Sequence, residues 1–146
     1  MALVSQEVVV DATIDHFYEV VTDYPRYPEF VPGIKACRVL QVGGEKHVEY
    51  DLDLGLRRIR YVLRHVEERP RRVSWSLVSG EILKVSNGSW ELTAEGQKTR
   101  ARYSVDIQIS RPPLVPQPLL DKMSDQMTRV QLPRTLAAFK ARAEGR

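Results

Sequence analysis

The side chains that can do chemistry are few in this chain of 146 residues, and they are scattered. Its three histidines, His16, His47 and His65, do not have the spacing of metal ligands, and Cys37 is the only cysteine. The motifs of zinc proteases, serine hydrolases, P-loop proteins and dinucleotide-binding proteins do not occur in the sequence. We therefore predict no metal site and no catalytic residue. Enzyme activity is not the leading interpretation.

The composition is that of a folded, soluble protein, with 42% hydrophobic and 28% charged residues. The length suits one domain, which we predict to cover residues 1–146. No apolar run approaches the roughly 20 residues of a membrane span. The first residues, MALVSQEVVVDA, lack the basic start of a signal peptide, and one cysteine fits a reducing compartment. These features predict a cytoplasmic protein.

The first third of the chain predicts a strand followed by short helices. Residues 3–10 are rich in β-branched side chains, which is typical of a strand. Thr13 is a suitable N-cap for a helix whose apolar side chains recur at helical spacing. Residues 23–32, DYPRYPEFVP, then combine three prolines with three aromatic residues; we call them the elbow. Its prolines end the first helix and leave room for one short second helix.

From residue 34 to residue 110 the apolar period changes to two, which predicts six antiparallel strands with one buried face. Turn signals separate the strands. Asn87-Gly88 is ambiguous, because the pair suits either a hairpin turn or a glycine kink inside a long strand. The inward positions of these strands hold Tyr50, Leu52, Tyr61, Leu63, Trp75, Leu77, Trp90, Tyr103 and Val105.

A cluster of arginines lies on the outer face of two of these strands. If Gly55-Leu56 forms a two-residue type II′ turn, Asp53 faces Arg58 and Asp51 faces Arg60 across the pair. The arginines then pair with their own neighbouring strand. The other interpretation is an anionic partner, a ribosome or an anionic membrane surface, on the side chains of Arg57, Arg58, Arg60 and Arg64. The net charge of +3 gives no reason to expect DNA as a partner.

A long helix is predicted at residues 118–142, after the proline-rich stretch RPPLVPQP. Its apolar stripe comprises Leu119, Met123, Met127 and Val130, continued by Leu136 and Phe139. Pro133 lies inside this helix and is expected to kink it. The predicted fold class is α+β: a curved antiparallel sheet of about seven strands around a long C-terminal helix, with two short helices after the first strand.

The segment VVTDYPRYPEFVPGIKACRVL resembles the START-like, helix-grip superfamily. The resemblance is carried by Asp23-Tyr24, Tyr27-Pro28, the Phe-Val-Pro at 30–32 and Arg38-Val39-Leu40, and it extends over nearly the whole chain. The sequence is most similar to the branch that contains coenzyme Q-binding proteins, the bacterial ribosome-association toxin and polyketide cyclase/dehydrase-like proteins. Many relatives have tryptophan and cysteine where this chain has Gly33-Ile34.

The resemblance implies a cavity between the sheet and the C-terminal helix, with the elbow at its lip. The expected cavity residues are Tyr24, Tyr27, Phe30, Pro32, Tyr50, Leu52, Tyr61, Leu63, Trp75, Leu77, Trp90, Tyr103, Val105, Met123, Met127 and Val130. The alternative is that these side chains simply fill a hydrophobic core. The leading function is non-catalytic binding or transport of a hydrophobic small molecule, an isoprenoid quinone or a lipid, with no other cofactor. A ribosome-associated translation inhibitor and a polyketide aromatase/cyclase are the alternatives.

Overall fold

The structure is a computed structural model that describes residues 3–55, 57–110 and 115–145. The first strand, β1, is followed by two helices, α1 and α2, with a 3₁₀ turn between them. Six strands, β2 to β7, come next, and a terminal helix consists of α3, a π-helical turn and α4. The bounds are β1 Leu3–Val10, α1 Ile14–Thr22, 3₁₀ turn Tyr24–Arg26, α2 Tyr27–Phe30, β2 Ile34–Val42, β3 Glu45–Asp53, β4 Arg58–Glu68, β5 Arg72–Gly80, β6 Leu83–Glu95, β7 Lys98–Ile109, α3 Gln117–Asp125, π-turn Gln126–Val130 and α4 Gln131–Ala143.

The strands form one antiparallel sheet of seven strands in the order β1-β7-β6-β5-β4-β3-β2. Register shifts in the β2–β3, β4–β5 and β6–β7 pairs interrupt the pairing, with the extra residue in β2, β5 and β6, and such bulges bend a sheet. One face of the sheet packs on the terminal helix, where Trp90 and Leu63 are buried with Phe139. The predicted α+β, helix-grip architecture is confirmed, including the two short helices after β1.

The β3–β4 hairpin has the predicted register. Asp53 pairs with Arg58, and Tyr50 pairs with Tyr61 on the opposite face of the sheet. The backbone N–H of Leu54 donates to the carbonyl of Arg57 at 2.9 Å, so two residues lie between the members of this closing pair. The predicted turn type depends on Leu56, which lies outside the described residues.

The first helix and the elbow pack under one end of the sheet. Thr13 is the N-cap of α1, and its hydroxyl accepts a hydrogen bond from the backbone N–H of His16 at 3.3 Å. Phe17 and Val21 are fully buried on the apolar face of α1. The prolines of the elbow do not exclude helix altogether, because proline is tolerated in the first turn, and the elbow folds as the 3₁₀ turn followed by α2.

The buried face of the terminal helix differs from the apolar stripe that was predicted for it. Leu119 is 39% exposed, and Leu120 is the residue that is buried beside Met123. The π-turn accommodates one extra residue per turn, which rotates the following residues around the axis, so Val130 is only half-buried. Pro133 lies in the first turn of α4, directly after the π-turn, and the kink expected there stays a prediction. Residues 111–114, the first half of the predicted loop RPPLVPQP, lie outside the described residues.

Among the residues that the structure describes, no helix is long and apolar enough to cross a membrane.

Candidate functional site

A cavity of about 100 Å³ lies between the inner face of the sheet and the terminal helix. Its walls come from β3 to β7 on one side and from the π-turn and α4 on the other, with Tyr27 of α2 and Ile34 of β2 at one end. Ten of the sixteen residues predicted to surround a cavity do so: Tyr27, Tyr50, Leu52, Tyr61, Leu63, Trp75, Trp90, Tyr103, Val105 and Met127.

Three residues of the elbow were expected at the cavity and are not part of its wall. Tyr24 is 1% exposed, and its hydroxyl donates to Glu67 at 2.8 Å, on the far side of His65. Phe30 packs edge-on against Phe139, with ring centroids 5.1 Å apart. Pro32 borders a shallow surface groove instead. For these residues the prediction is wrong, because the elbow closes one end of the core with its own side chains.

Three further predicted residues also lie outside the wall. Leu77 and Met123 pack in a second apolar cluster with Leu54 and Ile59, none of which lines the cavity. Val130 is turned aside by the π-turn. The alternation of apolar and polar residues along β5 predicted the correct face of the sheet for Leu77. It cannot predict which residues on that face border the gap between the sheet and the terminal helix.

Aromatic rings build the wall of the cavity on the sheet side. Trp90 stacks on Tyr103 with ring centroids 4.5 Å apart, and Phe17 meets its indole edge-on at 5.4 Å. Tyr50 and Tyr61, directly opposite each other on β3 and β4, are stacked at 5.1 Å. These contacts join neighbouring strands, so this wall is a packed surface.

Tyr27 is the elbow residue that reaches the cavity. Its ring lies edge-on to Phe139 at 5.1 Å, and its hydroxyl donates to the carbonyl of Val21 in α1. Burial raises the pKa of this hydroxyl well above its ordinary value, so Tyr27 stays protonated. The elbow is therefore anchored to α1 and to the terminal helix at this position.

A polar pair, Tyr50 and His65, interrupts the apolar wall. The hydroxyl oxygen of Tyr50 lies 2.8 Å from Nε2 of His65, and His65 is 7% exposed. Burial, and secondly the positive charge of Lys46, lowers the pKa of His65 to about 3. The imidazole is therefore neutral at physiological pH. His65 follows Tyr61 and Leu63 at alternate positions of β4, which places it on the inner face, whereas its bond to Tyr50 has no signal in the sequence.

The helix side of the cavity also carries polar groups, and the sequence prediction missed them. Gln131 donates through its side-chain amide to the carbonyl of Pro32 and to the hydroxyl of Thr135, at 3.4 Å in the second case. Gln131 and Thr135 both line the cavity. Their spacing could have revealed them, because they follow Met127 at intervals of four residues and so lie on the same face of the helix. The predicted stripe included only apolar residues and therefore left them out.

The arginine cluster is largely paired within its own sheet. Arg58 donates to both carboxylate oxygens of Asp51, at 3.1 and 2.7 Å, and Arg60 reaches the same carboxylate at 3.9 Å. Arg64 pairs with Glu45 at 3.2 Å. Arg57 is exposed and makes no ion pair with a described residue. A ribosomal or anionic membrane partner stays a prediction.

The remaining candidates for chemistry, Cys37 and His47, do not line the cavity. Cys37 is buried, and burial raises the pKa of its thiol to about 12. Within residues 3–55, 57–110 and 115–145, no three side chains of metal-binding type come together. His47 lies toward the outer face, with its Nε2 3.1 Å from Glu45.

A family model described as polyketide cyclase/dehydrase and lipid transport matches residues 1–144. The chain belongs to this family. Solved structures show the same START-like, helix-grip fold: the Zhui aromatase/cyclase from Streptomyces sp. R1128 superposes with a TM-score of 0.86 at 19% identity, over 98% of this chain and 93% of that one. A START superfamily protein from Mycobacterium smegmatis gives 0.79 at 20% identity, over 97% of both chains.

A plant protein has a similar fold. The ginseng major latex-like protein from Panax ginseng superposes with a TM-score of 0.62 at 16% identity, over 90% of this chain and 98% of that one. No curated protein has a significantly similar sequence. At these identities the likeness between structures shows the fold, and the function has to be argued from the cavity itself.

Proposed function

We propose that this protein binds a hydrophobic small molecule, an isoprenoid quinone or a lipid, in the cavity between the sheet and the terminal helix, without transforming it chemically. The observation that carries the proposal is the cavity wall, which is made of aromatic and aliphatic side chains with a few polar groups among them. Sites for small hydrophobic molecules have this composition. The lipid transport named in the family description agrees with it.

The size of the cavity bears on how a guest is taken up. About 100 Å³ is less than the roughly 300–1,000 Å³ of typical ligand sites. A quinone head group or an acyl chain therefore needs the cavity to widen. The sheet side is held by stacked rings and by strand pairing, whereas the helix side contributes the flexible side chain of Met127 at a π-turn. We expect the widening on the helix side.

Aromatase/cyclase chemistry is the second candidate, because the Tyr50–His65 pair brings two polar groups into an apolar cavity and the Zhui protein of similar fold is an aromatase/cyclase. General acid–base catalysis works best with a group whose pKa is near the working pH. The pKa of His65 is lowered to about 3. Burial raises the pKa of Tyr50, Tyr61 and Tyr103 above their ordinary values. All these pKa shifts lead away from neutral pH and therefore favour binding over acid–base catalysis.

The proposal is tested by incubating the purified protein with a membrane lipid extract that contains isoprenoid quinones, re-purifying it, and measuring the bound molecules by organic extraction and mass spectrometry. We expect one quinone or lipid class to be retained at close to one molecule per chain. Ser86→Leu fills the cavity from β6, because Ser86 is buried at its wall, and should abolish retention.

Asn87→Leu is the matched control for this experiment. Asn87 is the next residue on the same strand, is exposed, and points to the opposite face of the sheet, so the variant should retain the ligand. The proposal is refuted if the wild-type protein retains nothing, or if Ser86→Leu retains as much as Asn87→Leu does.

A further inference from the structure

One ring nitrogen of His65 has no hydrogen-bond partner among the described residues. Nδ1 is buried and unpartnered, while Nε2 lies 2.8 Å from the hydroxyl oxygen of Tyr50. The ring is fixed between Tyr24 and Trp75, whose ring centroids are 4.6 and 5.8 Å from that of His65. His65 belongs to the cavity wall, so a guest in the cavity meets this ring.

The polar neighbours of the ring are already engaged. The ammonium group of Lys46 donates to Glu67 at 2.9 Å, and the hydroxyl of Tyr24 donates to the same carboxylate oxygen at 2.8 Å. Buried polar groups in folded proteins nearly always have a partner, and an unpartnered one at a cavity wall marks a place where a bound molecule can supply it.

Counting hydrogen bonds identifies the kind of partner that is missing. If the Tyr50 hydroxyl donates to Nε2, one group is left over, the N–H at Nδ1. If Nε2 donates instead, both the Tyr50 hydroxyl hydrogen and the bare Nδ1 are left over. The first arrangement leaves fewer groups unsatisfied and is favoured, so Nδ1 presents a donor that needs an acceptor.

We infer that the Tyr50–His65 pair is the docking point for a neutral hydrogen-bond acceptor, a carbonyl oxygen, on an otherwise apolar guest. This inference rests on the proposed function and narrows it to guests such as ketones, esters and quinones. A carboxylate fits less well, because the imidazole is neutral and an ionised group would lose its hydration in an apolar cavity.

The test uses two probes of nearly the same shape, acetophenone and α-methylstyrene, which differ in having a C=O or a C=CH₂ group. Binding of each probe is measured by NMR titration of the wild-type protein and of His65→Phe, which keeps a ring and removes both nitrogens. The ratio of the two dissociation constants is compared between the proteins, so that the different hydration of the probes cancels. We expect the preference for acetophenone to fall about two- to tenfold in His65→Phe.

The control is His47→Phe, the same substitution at a histidine outside the cavity, and it should leave the ratio unchanged. An unchanged ratio in His65→Phe, with both probes still bound, overturns the inference and leaves the proposed function standing. If the wild-type protein binds neither probe, the inference and the proposed function are both overturned.

A measurement on the wild-type protein keeps the test decisive if His65→Phe does not fold. The imidazole ¹⁵N resonances of His65 report which nitrogen carries the proton. We expect Nδ1 to be protonated, and its resonance to shift with acetophenone and not with α-methylstyrene. A proton on Nε2, or equal shifts with both probes, contradicts the inference.

Discussion

The indole of Trp75 on β5 lies against the backbone of Gly88 on β6, its partner in the strand register. A Cβ atom at position 88 would come within 2.5 Å of Cζ2 of Trp75 and equally close to the carbonyl oxygen of Ser104. The missing side chain thus lets the indole lie flat over β6, where it contacts Tyr103 and His65. Gly88 shapes the cavity wall without a side chain of its own.

Gly88→Ala should destabilise the protein by about 1–3 kcal/mol, as overpacking in a rigid site does. The carbonyl oxygen of Ser104 belongs to the sheet backbone and cannot move aside as a side chain would. The measurement is urea unfolding followed by tryptophan fluorescence. Gly96→Asn is the control: its site is open, and asparagine tolerates the φ of +63° found there. An equal loss in both variants would contradict this account of Gly88.

The two interpretations of Asn87-Gly88 show what local sequence leaves undecided. The pair has the chemistry of a hairpin turn, and the close approach of Trp75 and of the Ser104 carbonyl from the two neighbouring strands explains why a glycine stands within a strand of thirteen residues. Strand alternation and short turns, in contrast, are local properties. Alternation therefore predicted the inward face that carries Tyr50 and Trp90, and the Gly55-Leu56 turn predicted the β3–β4 register.

The terminal helix shows a second limit. A stripe drawn at a regular helical period assigned Leu119 and Val130 to the buried face, and the structure buries Leu120 and Gln131. A π-turn changes the phase of the helix, and its position depends on tertiary packing. The elbow aromatics were predicted at the lip of the cavity, but the partners of these residues, such as Glu67 for Tyr24, come from distant strands and could not be predicted from local sequence.

Trp90→Ala should cost about 3–5 kcal/mol of unfolding free energy, because it deletes the largest side chain of the core. Trp90 is 2% exposed and contacts Phe17, Tyr103 and Phe139. Chemical denaturation of the two proteins measures the difference. A loss well under about 1 kcal/mol would be incompatible with a buried indole at this position.

Cys37 should react slowly with a thiol reagent in the folded protein. It is buried, and its pKa of about 12 keeps the thiol protonated at pH 8, whereas the thiolate is the reactive form. We expect Ellman's reagent to modify it at the rate of local opening and to react at once in guanidinium chloride. Cys37→Ser combined with Gln97→Cys, which moves the thiol to an exposed turn, should react rapidly without denaturant. Equal rates in the two folded proteins would show that Cys37 is accessible.

The stability of the fold should fall as the pH is lowered from 7.5 to 5, partly because of His65. The pKa of His65 in the folded protein, about 3, lies below the ordinary value of 6.5. The stability that this residue contributes is therefore fully present above about pH 6.5. Between pH 6.5 and 3 the unfolded chain takes up a proton that the folded protein does not. The free energy of unfolding then decreases by up to about 1.4 kcal/mol per pH unit from this residue.

His65→Gln isolates this effect, because glutamine does not titrate and can still bond to the Tyr50 hydroxyl. Urea unfolding at each pH gives the difference in stability between the two proteins, in which the other titrating groups cancel. We expect this difference to shift in favour of His65→Gln as the pH falls from 7.5 to 5. A constant difference over this range would mean that His65 takes up its proton as readily in the folded protein as in the unfolded chain, and that the polar end of the cavity is open to water.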